Sequence, residues 1–417
     1  MRASIEHGVH AYDLGGSSRA LVKPRSIIPL VTIAVGTRGG AHHETATTAG
    51  LTGLLARTSI KGTTSRTAAQ IAEIGEGMGG SISPSVSSDI IDWEITVPAR
   101  HFERALELVC DVAFNPAFPV DEFEIECKLV LADLQQIRDD MYRYPLRLCI
   151  QQAFHGHPYG TTIENIERSV REATPSALAA WHREQIRAAP CVFVVGDVGP
   201  DEAARAIAAQ LPALSVAEAR DVRPAVWQGG ALAADSREKA QTALALAFPG
   251  PARHHEDAYT LQVLAHAVGG LGGRFFEELR SKRSLAYSVN LLPVVRWLGG
   301  AFVAYIATAP EREAEARQAL LEQFARLVDE PLPASDVQRA QRYSIGTRQI
   351  RSQTNGSQLG ELMHAYLLGR GVSELAEFEQ RILAVTPESI QAAARRYFDP
   401  ALAVQGIVRG KGLTNGS

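Results

Sequence analysis

Leu30-Val31-Thr32-Ile33-Ala34-Val35, followed by His42-His43-Glu44, returns later in the chain as Thr242-Ala243-Leu244-Ala245-Leu246-Ala247-Phe248 followed by His254-His255-Glu256. Each alternating run reads as a strand, and Glu44 and Glu256 stand 212 positions apart. Thr174-Pro175 and Thr386-Pro387 recur at the same offset. Each opens a helix that leads into an apolar strand, Val192 to Val195 and Val404 to Val408. One coincidence would carry little weight, because Thr-Pro is a common helix start. Two at a single offset, with the same element order around them, predict an internal duplication of roughly 200 residues.

Each half begins with a strand and then a helix, Thr45 to Thr58 in the first and Ala258 to Ala267 running on through Phe275 to Arg280 in the second. Further strands follow, Ser81 to Ser87 with Ile90 to Val97 and Leu285 to Val295 with Ala301 to Ala307, and then helices rich in Ala, Leu and Glu. Strand runs followed by helix runs predict an α+β fold: two homologous sandwich domains, mainly antiparallel sheets with helices packed on one face. The expected division is a first repeat over 1–213, a linker over 214–230 marked by Pro224 and Gly229-Gly230, a second repeat over 231–412, and a disordered tail over 413–417.

The 417 residues are 46% hydrophobic and 21% charged with a net charge of -4, the composition of a soluble globular protein without a nucleic-acid footprint. Cys110, Cys127, Cys149 and Cys191 form no C-x-x-C pair and read as free, mostly buried thiols. Met1 to His7 is too polar for a signal-peptide core, and no stretch approaches the ~18 apolar residues of a membrane span. The expectation is a soluble chain, cytoplasmic as read and periplasmic if a leader has been removed.

Gly50-Leu51-Thr52-Gly53-Leu54-Leu55-Ala56-Arg57 through Lys61-Gly62-Thr63 reads as a helix entering a turn, with Gly53 and Arg57 four residues apart on one face. Taken together with Gly79-Gly80-Ser81, Asn115-Pro116-Ala117-Phe118-Pro119, Phe123 to Leu131 and His157-Pro158-Tyr159-Gly160, the first half resembles the pitrilysin and mitochondrial-processing-peptidase family, the inverted zincins. Gly269-Gly270-Leu271-Gly272-Gly273-Arg274-Phe275-Phe276 and Arg283-Ser284-Leu285-Ala286-Tyr287 extend the resemblance through the second half in the family's order. It implies two subunits closing like a clamshell over a peptide. One carries His-x-x-Glu-His; the other lacks it and contributes an Arg and a Tyr to its partner's active site.

Where that resemblance places the zinc-binding His-x-x-Glu-His, this chain has Gly53, Ala56 and Arg57, with Asp133 at the third ligand's position and Glu126 earlier on the same helix. A catalytic zinc needs three protein ligands and an open position. A glycine supplies no ligand, and a permanent guanidinium opposes a dication. No metal or other cofactor is expected in this chain; zinc is expected in the partner. Arg57 and Asp133 are expected to form an ion pair where a metal would sit. The alternative is an Arg57 turned to solvent and an Asp133 that is an ordinary helix-surface carboxylate.

On residue type alone, Arg283 is a helix-end cation and Tyr287 a strand aromatic. The resemblance instead gives them to substrate, as donors to the scissile carbonyl. Gly269, Gly270, Gly272 and Gly273 would border the peptide cleft; no G-x-x-x-x-G-K-[ST] accompanies them, so a nucleotide site is not expected. His42-His43, His155-x-His157 and His254-His255 lack a third ligand at a recognisable spacing and read as surface or turn histidines, and His157 to Gly160 as a structural turn. The resulting expectation is a non-catalytic subunit of a heterodimeric zinc metallopeptidase, inert alone. It would close the cleft, bind a peptide or unfolded polypeptide, and supply Arg283 and Tyr287 to a homologous His-x-x-Glu-His partner. The alternative is a purely structural scaffold subunit of the kind found as core proteins in the respiratory cytochrome complex.

Overall fold

The computed structural model describes residues 3–15, 18–186, 189–211, 222–270 and 272–411; the expected tail and the first part of the expected linker, residues 214–221, lie outside them. The strands are β1 (Ala3–Glu6), β2 (Val9–Asp13), β3 (Arg19–Pro24), β4 (Leu30–Arg38), β5 (Ser83–Val86), β6 (Ile90–Pro98), β7 (Cys191–Gly196), β8 (Leu232–Arg237), β9 (Thr242–Gly250), β10 (Ser288–Val294), β11 (Gly300–Thr308) and β12 (Val404–Gly410). The helices of the first half are α1 (Leu51–Ser59), α2 (Ala68–Gly77), α3 (Phe102–Phe114), α4 (Val120–Asp139), α5 (Arg143–Ala153), α6 (Ile163–Glu172), α7 (Pro175–Ile186) and α8 (Pro200–Gln210). Those of the second are α9 (Asp257–Val268), α10 (Arg274–Phe276), α11 (Glu313–Asp329), α12 (Ala334–Arg351), α13 (Asn355–Leu368), α14 (Ser373–Leu383) and α15 (Pro387–Tyr397).

One sheet runs β1-β2-β3-β7-β4-β6-β5 and the other β10-β11-β9-β12-β8. Read from opposite ends, these are the same five-strand order, with the β1-β2 hairpin added to the first. In both, one neighbouring pair is parallel, β3 with β7 and β8 with β12, and the other pairs are antiparallel. The fold is α+β, with two sheets of one plan.

The pleat refines the repeat. In β4 the core face carries Val31, Ile33 and Val35; in β9 it carries Leu244, Leu246 and Phe248. The side-chain period of a strand is 2, so an even offset of 212 would put the core residues of β4 on the wrong face of β9. The strands therefore correspond at an odd offset, whereas the helix starts Thr174 and Thr386 keep the even one.

The two compact units do not follow a single cut in the chain. One comprises residues 1–132, 163–222 and 351–376, the other 133–162, 223–350 and 377–417, with dividing points inside α4 and α14. The main helical layer covers one face of each sheet, and a single helix from the other half of the chain covers part of the opposite face. In the first unit this helix is α13, whose Met363 lies over Gly36, where a Cβ would come within 2.6 Å of its sulfur. In the second it is α5, whose backbone passes so close to β12 that a Cβ on Gly406 would stand 2.1 Å from the Pro145 carbonyl oxygen. Strand β9 accordingly alternates large side chains toward one layer with Ala243, Ala245 and Ala247 toward the other. Small residues let a helix backbone approach a sheet, and both faces leave water.

Candidate functional site

Helix α1 is short because both of its ends are specified. Gly50 precedes it at φ 80°, a conformation that suits glycine. The Glu44 carboxylate then accepts the Gly50 and Thr52 amide N–H groups at 2.8 and 3.0 Å, placing a negative charge on the helix's positive end. The expected start at Thr45 fails because that segment bonds to itself, the Thr45 N–H donating to the Thr48 hydroxyl at 2.8 Å. Leu51, Leu54, Leu55 and Thr58 face the core. Two buried indoles fix the helix, Trp93 donating to Ser59 Oγ at 2.7 Å and Trp181 to Thr52 Oγ1 at 3.2 Å.

This packing leaves Gly53 and Arg57 on the remaining face. A Cβ at Gly53 would meet nothing within 4 Å, so the site has room for a larger side chain and glycine is not required by packing. Arg57 is not turned to solvent: it is 40% exposed, and its Nε lies 3.5 Å from a Glu126 carboxylate that is itself almost completely buried. Lys61 reaches the other oxygen of Glu126 at 3.0 Å. A buried carboxylate is thus held by two cations, the condition under which such a charge is tolerated. Asp133 is half-buried two turns further along α4. Lys61 is the residue that sequence reading passed over, although its position four residues after Arg57 was a signal for a shared face.

Glycine, alanine and arginine at the three positions do not fit zinc, since none supplies a neutral or anionic donor. Among the described residues no three His, Cys, Asp or Glu side chains are placed to hold a metal ion. His42 lies in the short turn Gly40–His43 and is buried there, with Nδ1 3.2 Å from the Ser88 carbonyl oxygen. His157 accepts the Tyr159 N–H at 3.1 Å and caps the turn Pro158–Gly160. The cysteines are free; Cys110, Cys149 and Cys191 are buried, and burial pushes their thiols up to about 12.

The second half places its candidates on a distorted helix end. The continuous helix expected from Ala258 to Arg280 is broken after Val268, where the chain turns through Gly270 at φ 72°. A Cβ on Gly273 would lie 2.2 Å from the Gly269 carbonyl oxygen. A Cβ on Gly269 would likewise stand 2.5 Å from the Ala265 carbonyl oxygen, so close approach requires glycine at 269 and 273 and the left-handed φ favours it at 270, whereas a Cβ on Gly272 would meet nothing. Helix α10 then widens into a π turn, Glu277–Lys282, with the Arg283 N–H reaching back to the Glu278 carbonyl at 3.2 Å. Single π turns of this kind frequently accompany functional sites.

Ser284 follows at φ 48°, and the Tyr287 N–H joins β11 through the Ala307 carbonyl at 3.0 Å. Arg283 Nη1 lies 2.9 Å from Glu322 on α11, both side chains part-exposed. Tyr287 is 64% exposed, and among the described residues its hydroxyl has no partner. A neutral phenol is a ready hydrogen-bond donor. No sequence signal marked Glu322, because its contact with Arg283 spans 39 positions.

No described helix is long and apolar enough to cross a membrane. Residues 22–166 match the insulinase family, peptidase family M16, and residues 173–343 match the peptidase M16 inactive domain. The chain is 26% identical over 402 residues to an uncharacterised zinc protease of Mycobacterium leprae, covering 95% of this chain and 90% of that one. Over 416 residues it is 22% identical to an uncharacterised zinc protease of Bacillus subtilis, covering 95% and 98%. In fold it is similar to a peptidase M16 inactive domain from Pseudomonas fluorescens, with TM-score 0.87, 19% identity and 97% and 98% of the two chains covered. It is similar too to a chain of complex III2 from Candida albicans, with TM-score 0.83, 14% identity and 96% of each covered. With one sheet plan used twice and both halves matched in order, the chain belongs to peptidase family M16, the pitrilysin-type peptidases.

Proposed function

We propose that this chain is the non-catalytic subunit of a heterodimeric zinc metallopeptidase. It closes the cleft, binds a peptide or unfolded polypeptide, and contributes Arg283 and Tyr287 to the active site of a homologous partner. The partner carries His-x-x-Glu-His and the zinc; Gly53, Ala56 and Arg57 supply no ligand for it here.

The observation that carries this reading is the presentation of Tyr287, an exposed phenol whose hydroxyl is unpartnered among the described residues, four residues after a guanidinium and directly behind a π turn. A peptide carbonyl oxygen gains negative charge as its bond is attacked. Donors already held in place stabilise that charge without reorganisation. A phenol and a guanidinium both donate at neutral pH, and neither needs a metal to do so.

The test mixes the purified chain with a co-expressed homologue bearing His-x-x-Glu-His and follows cleavage of fluorescein-labelled casein. Cleavage by the mixture and by neither chain alone is the expected result. The scaffold reading is supported by the fold similarity to a chain of complex III2. It would take over if the two chains associated and the complex left casein intact.

A further inference from the structure

The loop that presents Arg283 and Tyr287 is held by a residue outside it. Arg312, at the start of α11, donates from Nη1 to the Ser284 carbonyl at 2.8 Å and from Nη2 to the Arg283 carbonyl at 3.2 Å. Its own orientation is set by Glu315, which accepts from Nε and Nη2 at 3.0 Å each, a bidentate pair. The planar guanidinium can bridge two consecutive carbonyls and a carboxylate at once, which a lysine ammonium cannot do in that geometry.

The loop needs such a clamp. Ser284 sits at φ 48°, a left-handed conformation that costs an L-residue roughly 1–2 kcal/mol. The preceding π turn replaces the regular helical bonds with wider ones. Glu322, on the same helix as Glu315, lies 2.9 Å from the Arg283 side chain. Helix α11 thus grips both the backbone and the side chain of residue 283, while leaving Tyr287 exposed.

We propose that Arg312, oriented by Glu315, is a positioning residue that fixes the Arg283–Tyr287 loop in the geometry its donors require; this rests on the role assigned above to Arg283 and Tyr287. Arg312 does not itself touch substrate. It acts through the two carbonyls, and its loss lets the left-handed turn at Ser284 relax and carry the phenol away from its place.

Three variants and two readouts test this. In the isolated chain, Arg312→Ala is expected to speed amide hydrogen exchange at Leu285 and Tyr287 while β11 stays protected. In the assembled peptidase it is expected to lower kcat by about 10- to 100-fold, the cost of a misplacement near 1 Å, with KM little changed. Arg312→Lys should recover only part of the loss, since a single ammonium cannot hold both carbonyls. Unchanged exchange at Leu285 and Tyr287 in Arg312→Ala would overturn the proposal, as would an unchanged kcat in a complex where Tyr287→Phe is impaired. If exchange rises but Tyr287→Phe cleaves casein as fast as the native complex, the clamp stands and the role of Tyr287 falls.

Discussion

On α1, a guanidinium and an ammonium close over a carboxylate that is almost completely buried, and the helix face that would carry metal ligands is spent on an ion cluster. After α10, a phenol stands 64% exposed and its loop is braced by two hydrogen bonds from Arg312, which two more hold against Glu315. The first region satisfies its charges internally; the second leaves a donor open at the cost of a left-handed serine. A polar group that finishes its hydrogen bonds within the chain contributes to folding, and one held open in a constrained loop is available to something outside it. The contrast is what the proposed division of roles requires: Arg57, Lys61 and Glu126 hold the fold together, and Arg283 and Tyr287 would serve the proposed chemistry.

The sharpest break in that assignment would come from Tyr287→Phe. Removing one preorganised donor typically costs on the order of 10²–10³ in kcat, and the assembled complex should lose that much while the thermal midpoint of the chain stays put. An exposed phenol whose hydroxyl has no partner among the described residues has little stability to lose. A fall in melting temperature with unaltered casein cleavage would reverse the roles of the two regions.

A pH titration extends the contrast to the sheets beneath. On β6, Asp92 and Glu94 point to the face covered by α13, whereas the corresponding positions on β11 are Val303 and Tyr305. Burial, with the Glu94 carboxylate beside it, pushes Asp92 up to about 7, although the Ser85 hydroxyl works against this. Burial raises Glu94 as well. A carboxyl whose pKa is higher folded than unfolded holds its extra proton only in the folded state. Stability contributed by Asp92 is therefore greatest near pH 4, falls as pH rises toward 7, and is flat above that. Unfolding free energies from urea denaturation at pH 5 and pH 8 should differ by a few kcal/mol in the native chain and by much less in Asp92→Asn. An equal difference in the two would show that Asp92 is not the titrating group.

The back faces also show what the sequence made legible. Alternation in Leu30 to Val35 and Thr242 to Phe248 marked two strands of one plan, because period 2 is a local property. It did not say what covers the second face. Ala243, Ala245 and Ala247 look like weak strand residues until α5, more than 90 positions earlier in the chain, is found above them. The same holds at the site. Gly53, Ala56 and Arg57 could be read as ligand positions left empty, because the family resemblance aligns a helical motif with them. Arg312 and Glu322 could not, because the π turn that brings α11 against residue 283 depends on packing and leaves no periodic trace.

Arg57→Glu probes the first region alone. It would set a carboxylate against Glu126 and leave Lys61 to offset two negative charges, one of them buried. Loss of about 2 kcal/mol is expected, less than for a fully buried pair because Arg57 itself is part-exposed. Arg57→Ala should cost less, as Lys61 keeps its 3.0 Å contact. Either variant, mixed with the partner, should cleave casein at the native rate per folded molecule. A selective loss of kcat would mean that α1 takes part in chemistry after all.

Ser284→Gly carries the smallest expected effect and separates two costs in the second region. Glycine adopts φ 48° freely, which relieves the roughly 1–2 kcal/mol of a left-handed L-residue, but it adds chain entropy to the unfolded state, about 0.5–1 kcal/mol in the other direction. The net expectation is a stabilisation of about 0.5 kcal/mol by urea denaturation, with the Arg312 bonds to the carbonyls of residues 283 and 284 intact. If the variant were instead less stable, the turn at Ser284 would be relaxed in the native chain. Arg312 would then be holding a loop that needed no holding, and the openness of Tyr287 would have to be explained by the π turn alone.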